Sequence, residues 1–134
     1  MERINQIEKR QAEITALDPV RREKLRNSMN KSMQEHLKEE AIDRNRMEQE
    51  LIYYIEKMDI TEELVRLRNH CSYFREEVAT TEEGKGKKLS FILQEIGREI
   101  NTTGSKSYDA GIQRLVVEMK DELEKAKEQV LNIL

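Results

Sequence analysis

The chain has 134 residues, 38% of them charged and 37% hydrophobic, with five Gly, one Pro and no Trp. Such a length suits a single domain and excludes two separate enzyme domains. Twenty-four basic against 27 acidic residues give a net charge of −3, which excludes a uniformly basic nucleic-acid binder and makes any polyanion site local.

Ala, Glu, Lys, Leu and Arg account for 64 of the 134 residues, near the half-of-all level typical of long helices, so the expected fold is all-α. No apolar run approaches the ~18 residues of a membrane span, and no signal-peptide pattern opens the chain. A cytoplasmic protein with no membrane partner is the expectation. The lone Cys71 excludes an intrachain disulfide or a paired-thiol site, and its place on an apolar stripe reads as a buried small hydrophobe.

In chain order, Ile4, Ile7, Ile14 and Leu17 give a short helical pattern that should stop at Asp18-Pro19. There Asp18 can cap a new helix with Pro19 at its first position. From Val20 to Lys57 there is no Gly or Pro, while Leu25, Met29, Met33, Leu37, Ile42, Met47, Leu51, Tyr54, Ile55 and Met58 form a stripe. This predicts one helix on the order of 55 Å long, a projecting arm with coiled-coil-like packing. With no partner evident in the chain for Met29, Met33, Leu37 and Met47, self-association is expected. Residues 1–58 thus read as an arm and oligomerisation region, and 59–134 as a helical domain.

Asp59 followed by Glu62 resembles a capping arrangement. Ile60, Leu64, Leu67, Cys71, Phe74 and Val78 then alternate spacings of four and three, the strongest periodic signal in the chain. Thr80 to Lys88 reads as a loop with two Gly and three Lys. Leu89, Ile92, Leu93, Ile96 and Ile100 predict the next helix, which Asn101 to Ser107 should break. Ile112, Leu115, Val116, Met119, Leu123, Ala126, Val130 and Ile133 predict the last. The three later helices should form a small bundle.

Three constellations could carry chemistry. Glu95, Arg98, Glu99 and Thr102 project from one side of a helix, where two carboxylates four apart can bracket a divalent cation such as Mg or Mn, or form a solvated ion-pair cluster. Glu63, Arg66, His70, Tyr73 and Glu77 share a polar face on which His70 could move a proton, or serve as a surface hydrogen-bonding group beside Arg66. His36, in the middle of the charged arm, has less to recommend it. From Gly84 to Tyr108 the bases Lys85, Lys87, Lys88, Arg98 and Lys106 outnumber Glu95 and Glu99. That stretch is locally electropositive, and Gly84 and Gly86 would admit a phosphate or simply solvate a loop. GKGKK is not a P-loop: Gly is absent five residues before Gly86, and no Ser or Thr follows Lys87.

DITEELVRLRNHCSYF (59–74), GKKLSFILQEIGREINTTGSKS (86–107) and VVEMKDELEKAKEQVLNIL (116–134) resemble the C-terminal half of the YicC family of bacterial endoribonucleases, also labelled stress-induced proteins. The stretch from Pro19 to Met58 resembles the family's middle region. The family's N-terminal half is absent, so a fragment of a longer protein is expected. Departures are mild: Ser90, Gly97, Leu131 and Leu134 stand where the family often has Asp, Asn, Gln and Glu.

The resemblance implies cleavage of single-stranded RNA with a divalent cation in a ring-like homo-oligomer. The matching polar positions are Glu63, Arg66, His70, Gln94, Glu95, Arg98, Glu99, Asn101, Thr102, Lys106 and Glu128. On this reading His70, Glu95, Arg98 and Glu99 are catalytic, Glu95 and Glu99 hold the metal, and Arg66, Lys85, Lys87, Lys88 and Lys106 bind RNA. Hydrolysis by a metal-activated water and attack by the ribose 2′-OH both remain open, as does a non-catalytic oligomerisation or RNA-guiding module.

Overall fold

A computed structural model describes residues 1–39, 44–80 and 84–132 of the chain. Their regular elements are all helical: α1 (Glu2–Glu39), α2 (Arg44–Lys57), α3 (Thr61–Ala79), α4 (Lys85–Lys106) and α5 (Ala110–Leu131). The side chains of His36 and Leu37, together with Ile42, Ile133 and Leu134, lie outside the described residues.

Most positions of the stripes expected on the three later helices are buried, with Val78 and Leu115 partly so. Ile60, Leu64, Leu67, Cys71 and Phe74 on α3 and its approach meet Leu89, Ile92, Leu93, Ile96 and Ile100 of α4, with the α5 stripe from Ile112 to Val130 closing the third side. The bundle has a fourth member, however. Ile4, Ile7 and Ile14 of α1 are fully buried in the same core, so the first half of α1 packs with residues 59–134. Its pairings fix the topology: Arg3 and Arg10 reach Glu122 and Glu118 of α5, while Gln11 donates to the Leu64 carbonyl of α3 and Arg75 of α3 reaches Glu8. With α3 and α4 also antiparallel, the four helices run up and down around one core, in the spatial order α1, α3, α4, α5.

Pro19 lies inside α1, so the expected stop at Asp18-Pro19 is replaced by one continuous helix. Instead of capping, the buried Asp18 accepts two hydrogen bonds from Arg21, at 2.8 and 2.9 Å, and pairs with Arg22. Arg21 also donates to the Met58 carbonyl, at 2.7 Å. This ionic lock holds the helical path through a residue that lacks an N–H and disfavours helix in its predecessor.

The single helix expected from Val20 to Lys57 is two, α1 through Glu39 and α2 from Arg44, with residues 40–43 outside the described set. Met29 and Met33 of α1 face Met47, Leu51 and Tyr54 of α2 across a cleft of about 160 Å³. The apolar stripe thus folds back on itself, which leaves Met29, Met33 and Met47 half-buried against one another.

The expected loop over 80–88 is shorter, for Lys85 to Lys88 already belong to α4. Gly84, at φ +80° in the left-handed region that favours Gly, makes the turn before it. Asn101 to Lys106 does not break α4. Thr102, Thr103 and Ser105 each turn a hydroxyl onto the carbonyl four residues back, and a Cβ on Gly104 would stand 3.1 Å from Val116 of α5. Close tertiary packing overrides weak helix propensity here.

Candidate functional site

The site forms where α3 and the C-terminal half of α4 lie side by side. Asp59 starts α3 by accepting the Thr61 backbone N–H, at 2.9 Å, and the Thr61 hydroxyl. The hydroxyl bond is the main cause that holds the Asp59 carboxyl below the usual range, while partial burial opposes it. The second half of the expected cap is absent: Glu62 pairs with Arg66 instead of reaching back.

From that start, Glu62, Glu63, Arg66 and His70 follow at helical spacing along one side of α3. Arg66 Nε donates to Glu99 Oε1 of α4 at 3.1 Å, and Arg66 Nη1 to Glu62 Oε2 at 3.1 Å. Its Nη2 stands 3.6 Å from Glu63 Oε1. Glu99 raises the already high pKa of Arg66 through the hydrogen bond between them, so the guanidinium stays charged. His70 Nε2 lies 3.9 Å from Glu99 Oε1. Two turns further along α4, Lys106 Nζ donates to Glu63 Oε1 at 2.7 Å and to the Asp59 carbonyl at 3.4 Å.

Glu63 and Glu99 are buried, whereas His70 and Lys106 are half-buried and Arg66 is exposed. The carboxylates thus form the floor and the nitrogen groups the rim. Three carboxylates against two cations leave one net negative charge with His70 neutral. Glu63 Oε2 is buried without a hydrogen-bond partner among the described residues.

Of the residues expected at the site, Arg66, His70, Glu99 and Lys106 come together. Glu95 and Arg98 lie on the same stretch of α4, and among the described residues neither side chain makes a hydrogen bond or ion pair with these groups. Lys85, Lys87 and Lys88 stand at the other end of α4, ~30 Å from Lys106 at 1.5 Å per residue. Lys85 Nζ is engaged there by the Val78 and Thr80 carbonyls at the end of α3.

The expected metal pair therefore offers two carboxylates, one of which already accepts from Arg66. Among the described residues no group of three or more His, Cys, Asp or Glu is placed to hold a metal ion. Glu62 and Glu63 join the array beyond the residues expected there. Their spacing to Arg66 and His70 was visible, but only the fold reveals that Glu63 is buried under Lys106.

Fold and array together define an all-helical domain whose buried acidic floor holds a solvent-facing rim of Arg, His and Lys. A family model described as Endoribonuclease YicC-like, C-terminal, matches residues 14–134, and the chain belongs to that family. One relative, a "Probable endoribonuclease YicC" from Clostridioides difficile (strain 630), is 43% identical over 112 residues, which cover 83% of this chain and 38% of the relative. Another of the same name, from Haemophilus influenzae (strain ATCC 51907 / DSM 11121 / KW20 / Rd), is 39% identical over 94 residues, covering 69% of this chain and 32% of the relative. The chain thus spans well under half the length of these relatives. The resemblance read from the three motifs is borne out. Among the described residues no helix is long and apolar enough to cross a membrane.

Proposed function

We propose that this chain carries the phosphodiester-cleaving site of an endoribonuclease that acts on single-stranded RNA. The observation that carries this reading is buried Glu99, held against both Arg66 and His70 across the contact of α3 and α4. Such a carboxylate balances the charge that His70 gains on taking a proton, the role of the acid in a carboxylate–histidine pair.

In the proposed reaction His70 takes the proton of a ribose 2′-OH. The 2′-oxygen attacks phosphorus, the bond from phosphorus to the 5′-oxygen breaks, and that oxygen is protonated from solvent. The products are a 2′,3′-cyclic phosphate and a 5′-OH. Arg66 and Lys106 neutralise charge on the phosphorane. A phosphate reaches Arg66 by displacing Glu62, whose side chain is 82% exposed and whose surface pair is worth only ~0–1 kcal/mol.

A divalent cation, Mg or Mn, enters this reading as a companion of the substrate. Glu95 and Glu99 would hold it together with phosphate oxygens and waters, as such ions are commonly held, and it would supply charge neutralisation. Self-association, implied by the family resemblance, and a cytoplasmic location, expected from the apolar patterning of the sequence, belong to the same proposal, and light scattering on the purified chain measures the first.

The test is a single-stranded RNA with one 2′-deoxynucleotide at a mapped cut. Cleavage is expected to vanish there and persist elsewhere, and His70→Ala should slow it by about 10² to 10⁴-fold with affinity kept. Cleavage on the deoxynucleotide's 3′ side would overturn the 2′-OH route. Wild-type rates in both His70→Ala and Glu99→Ala would overturn the site. A second reading, an RNA-guiding module, is favoured by the 38% and 32% shares of the relatives that the chain spans. It predicts RNA binding without cleavage by this chain alone.

A further inference from the structure

Beside the array, the end of α2 meets the end of α4 in a cleft of about 310 Å³, lined by Tyr54, Lys57, Met58, Ser105, Lys106 and Tyr108. The volume is within the range of small-ligand sites, and the lining combines aromatic rings with cations. Tyr108 is 84% exposed and Tyr54 47% exposed, so neither ring is spent on the core. Tyr53 buttresses this wall: its ring meets Tyr54 edge to face at 6.1 Å, and Lys57 Nζ lies 5.7 Å from its centroid. Tyr108 and Met58 also line an adjoining cleft of about 240 Å³ that contains Lys24. Lys106 belongs to both regions, for it lines the cleft and pairs with Glu63 of the array.

We infer that this cleft is a nucleobase subsite: an unpaired base stacks on Tyr108 and Tyr54, while Lys57 and Lys24 face the flanking phosphates. The inference rests on the RNA-cleaving reading above and extends it to how the strand is held. Stacking on aromatic side chains beside a cationic groove is how single strands are bound without reading sequence, because every base has a π-face. A base paired in a duplex cannot offer that face to a side chain, so the subsite selects unpaired RNA. Through Lys106 the strand continues onto the α3 side of the array, where His70 stands two turns beyond Glu63, ~10 Å along the helix.

The chain has four Tyr and no Trp, so its intrinsic emission reports on these rings. The experiment titrates the whole chain, as the His70→Ala form to prevent turnover, with a single-stranded oligoadenylate and with the same oligomer carrying abasic positions. We expect tyrosine emission to be quenched by the first and much less by the second. Tyr108→Ala and Tyr54→Ala should each weaken binding by roughly 5- to 150-fold, the range of one lost stacking contact, while Tyr108→Phe retains it. Both rings are exposed, so these variants should fold, and circular dichroism checks that they do. RNA binding at wild-type strength in both Ala variants, or equal binding of the abasic oligomer, would overturn the subsite and leave the cleavage reading standing. Weakened binding in the variants of a chain that never cleaves RNA would support the subsite and overturn the catalytic reading. Absence of RNA binding by the chain would overturn both.

Discussion

Glu62 holds Arg66 from the solvent side, and Glu99 holds it from below. The two contacts have different strengths, because an exposed pair is screened by water and salt while a buried carboxylate has no aqueous alternative. Glu62→Gln should therefore strengthen RNA binding by about two- to fivefold, since it removes both a competitor for Arg66 and one of three negative charges. A salt-resolved binding titration measures this, and weaker binding would show that Glu62 positions Arg66 instead of competing for it. Glu99→Gln should have the opposite character, with cleavage lost and the fold retained.

Cys71 belongs to the same scale, and desolvation pushes its thiol up to about 12. At pH 8 its thiolate is roughly three orders of magnitude scarcer than that of a free thiol with pKa ≈ 8.5. Iodoacetamide should thus label the native chain very slowly and the urea-unfolded chain at the rate of a small thiol. Fast labelling of the native chain would contradict the packing of α3. The sequence already showed the burial of Cys71 through its stripe. It did not show that Glu99 is buried, because a carboxylate opposite the apolar stripe of α4 looks solvated until α3 covers it.

At the scale of the element, α1 carries the clearest conflict between local preference and tertiary demand. A helix-interior Pro is about 3 kcal/mol less favourable than Ala, and Pro19 is exposed on α1, where the missing N–H would otherwise meet the Thr15 carbonyl. Pro19→Ala should therefore raise stability by about 1 to 3 kcal/mol, read from the midpoint of urea unfolding. A loss of stability would mean that the Asp18–Arg21 lock depends on a bend made by the Pro. The Asp18-Pro19 pair read as a boundary from sequence because a cap and a first-turn Pro have the same local signature. What distinguishes the two cases is the pairing of Arg21 with the Met58 carbonyl, a residue 37 positions away.

α4 carries the same conflict between local preference and packing. Asn101 to Ser105 consists of weak helix formers with a Gly among them, yet the helix continues because α5 packs on Gly104. This continuation brings Lys106 onto Glu63, so the site depends on a helical turn that propensity alone would have removed.

At the scale of the whole molecule, α1 ties the chain's beginning to its end. Ile7 is fully buried between α3 and α5, so Ile7→Ala should destabilise the domain by about 2 to 5 kcal/mol. The loss should be a cooperative shift of the entire unfolding curve. A separate early transition of α1 would instead show that α3, α4 and α5 stand without it. The sequence grouped α3, α4 and α5 because their stripes are unbroken, whereas the stripe of α1 passes through the polar Gln11, Asp18 and Arg21, each buried and each bonded.

Composition and the spacing of apolar residues determined by themselves that the chain is helical and which faces of α3, α4 and α5 turn inward, because those properties depend on residues within a few turns of each other. The family, too, was legible in three linear motifs. The reversal between α1 and α2, the passage of α1 through Pro19, and the meeting of Arg66, His70 and Glu99 were decided only by the tertiary structure. Each depends on contacts between residues distant in sequence, and an ion pair between two helices leaves no periodic trace: its two halves look like ordinary surface charge until the fold brings them together.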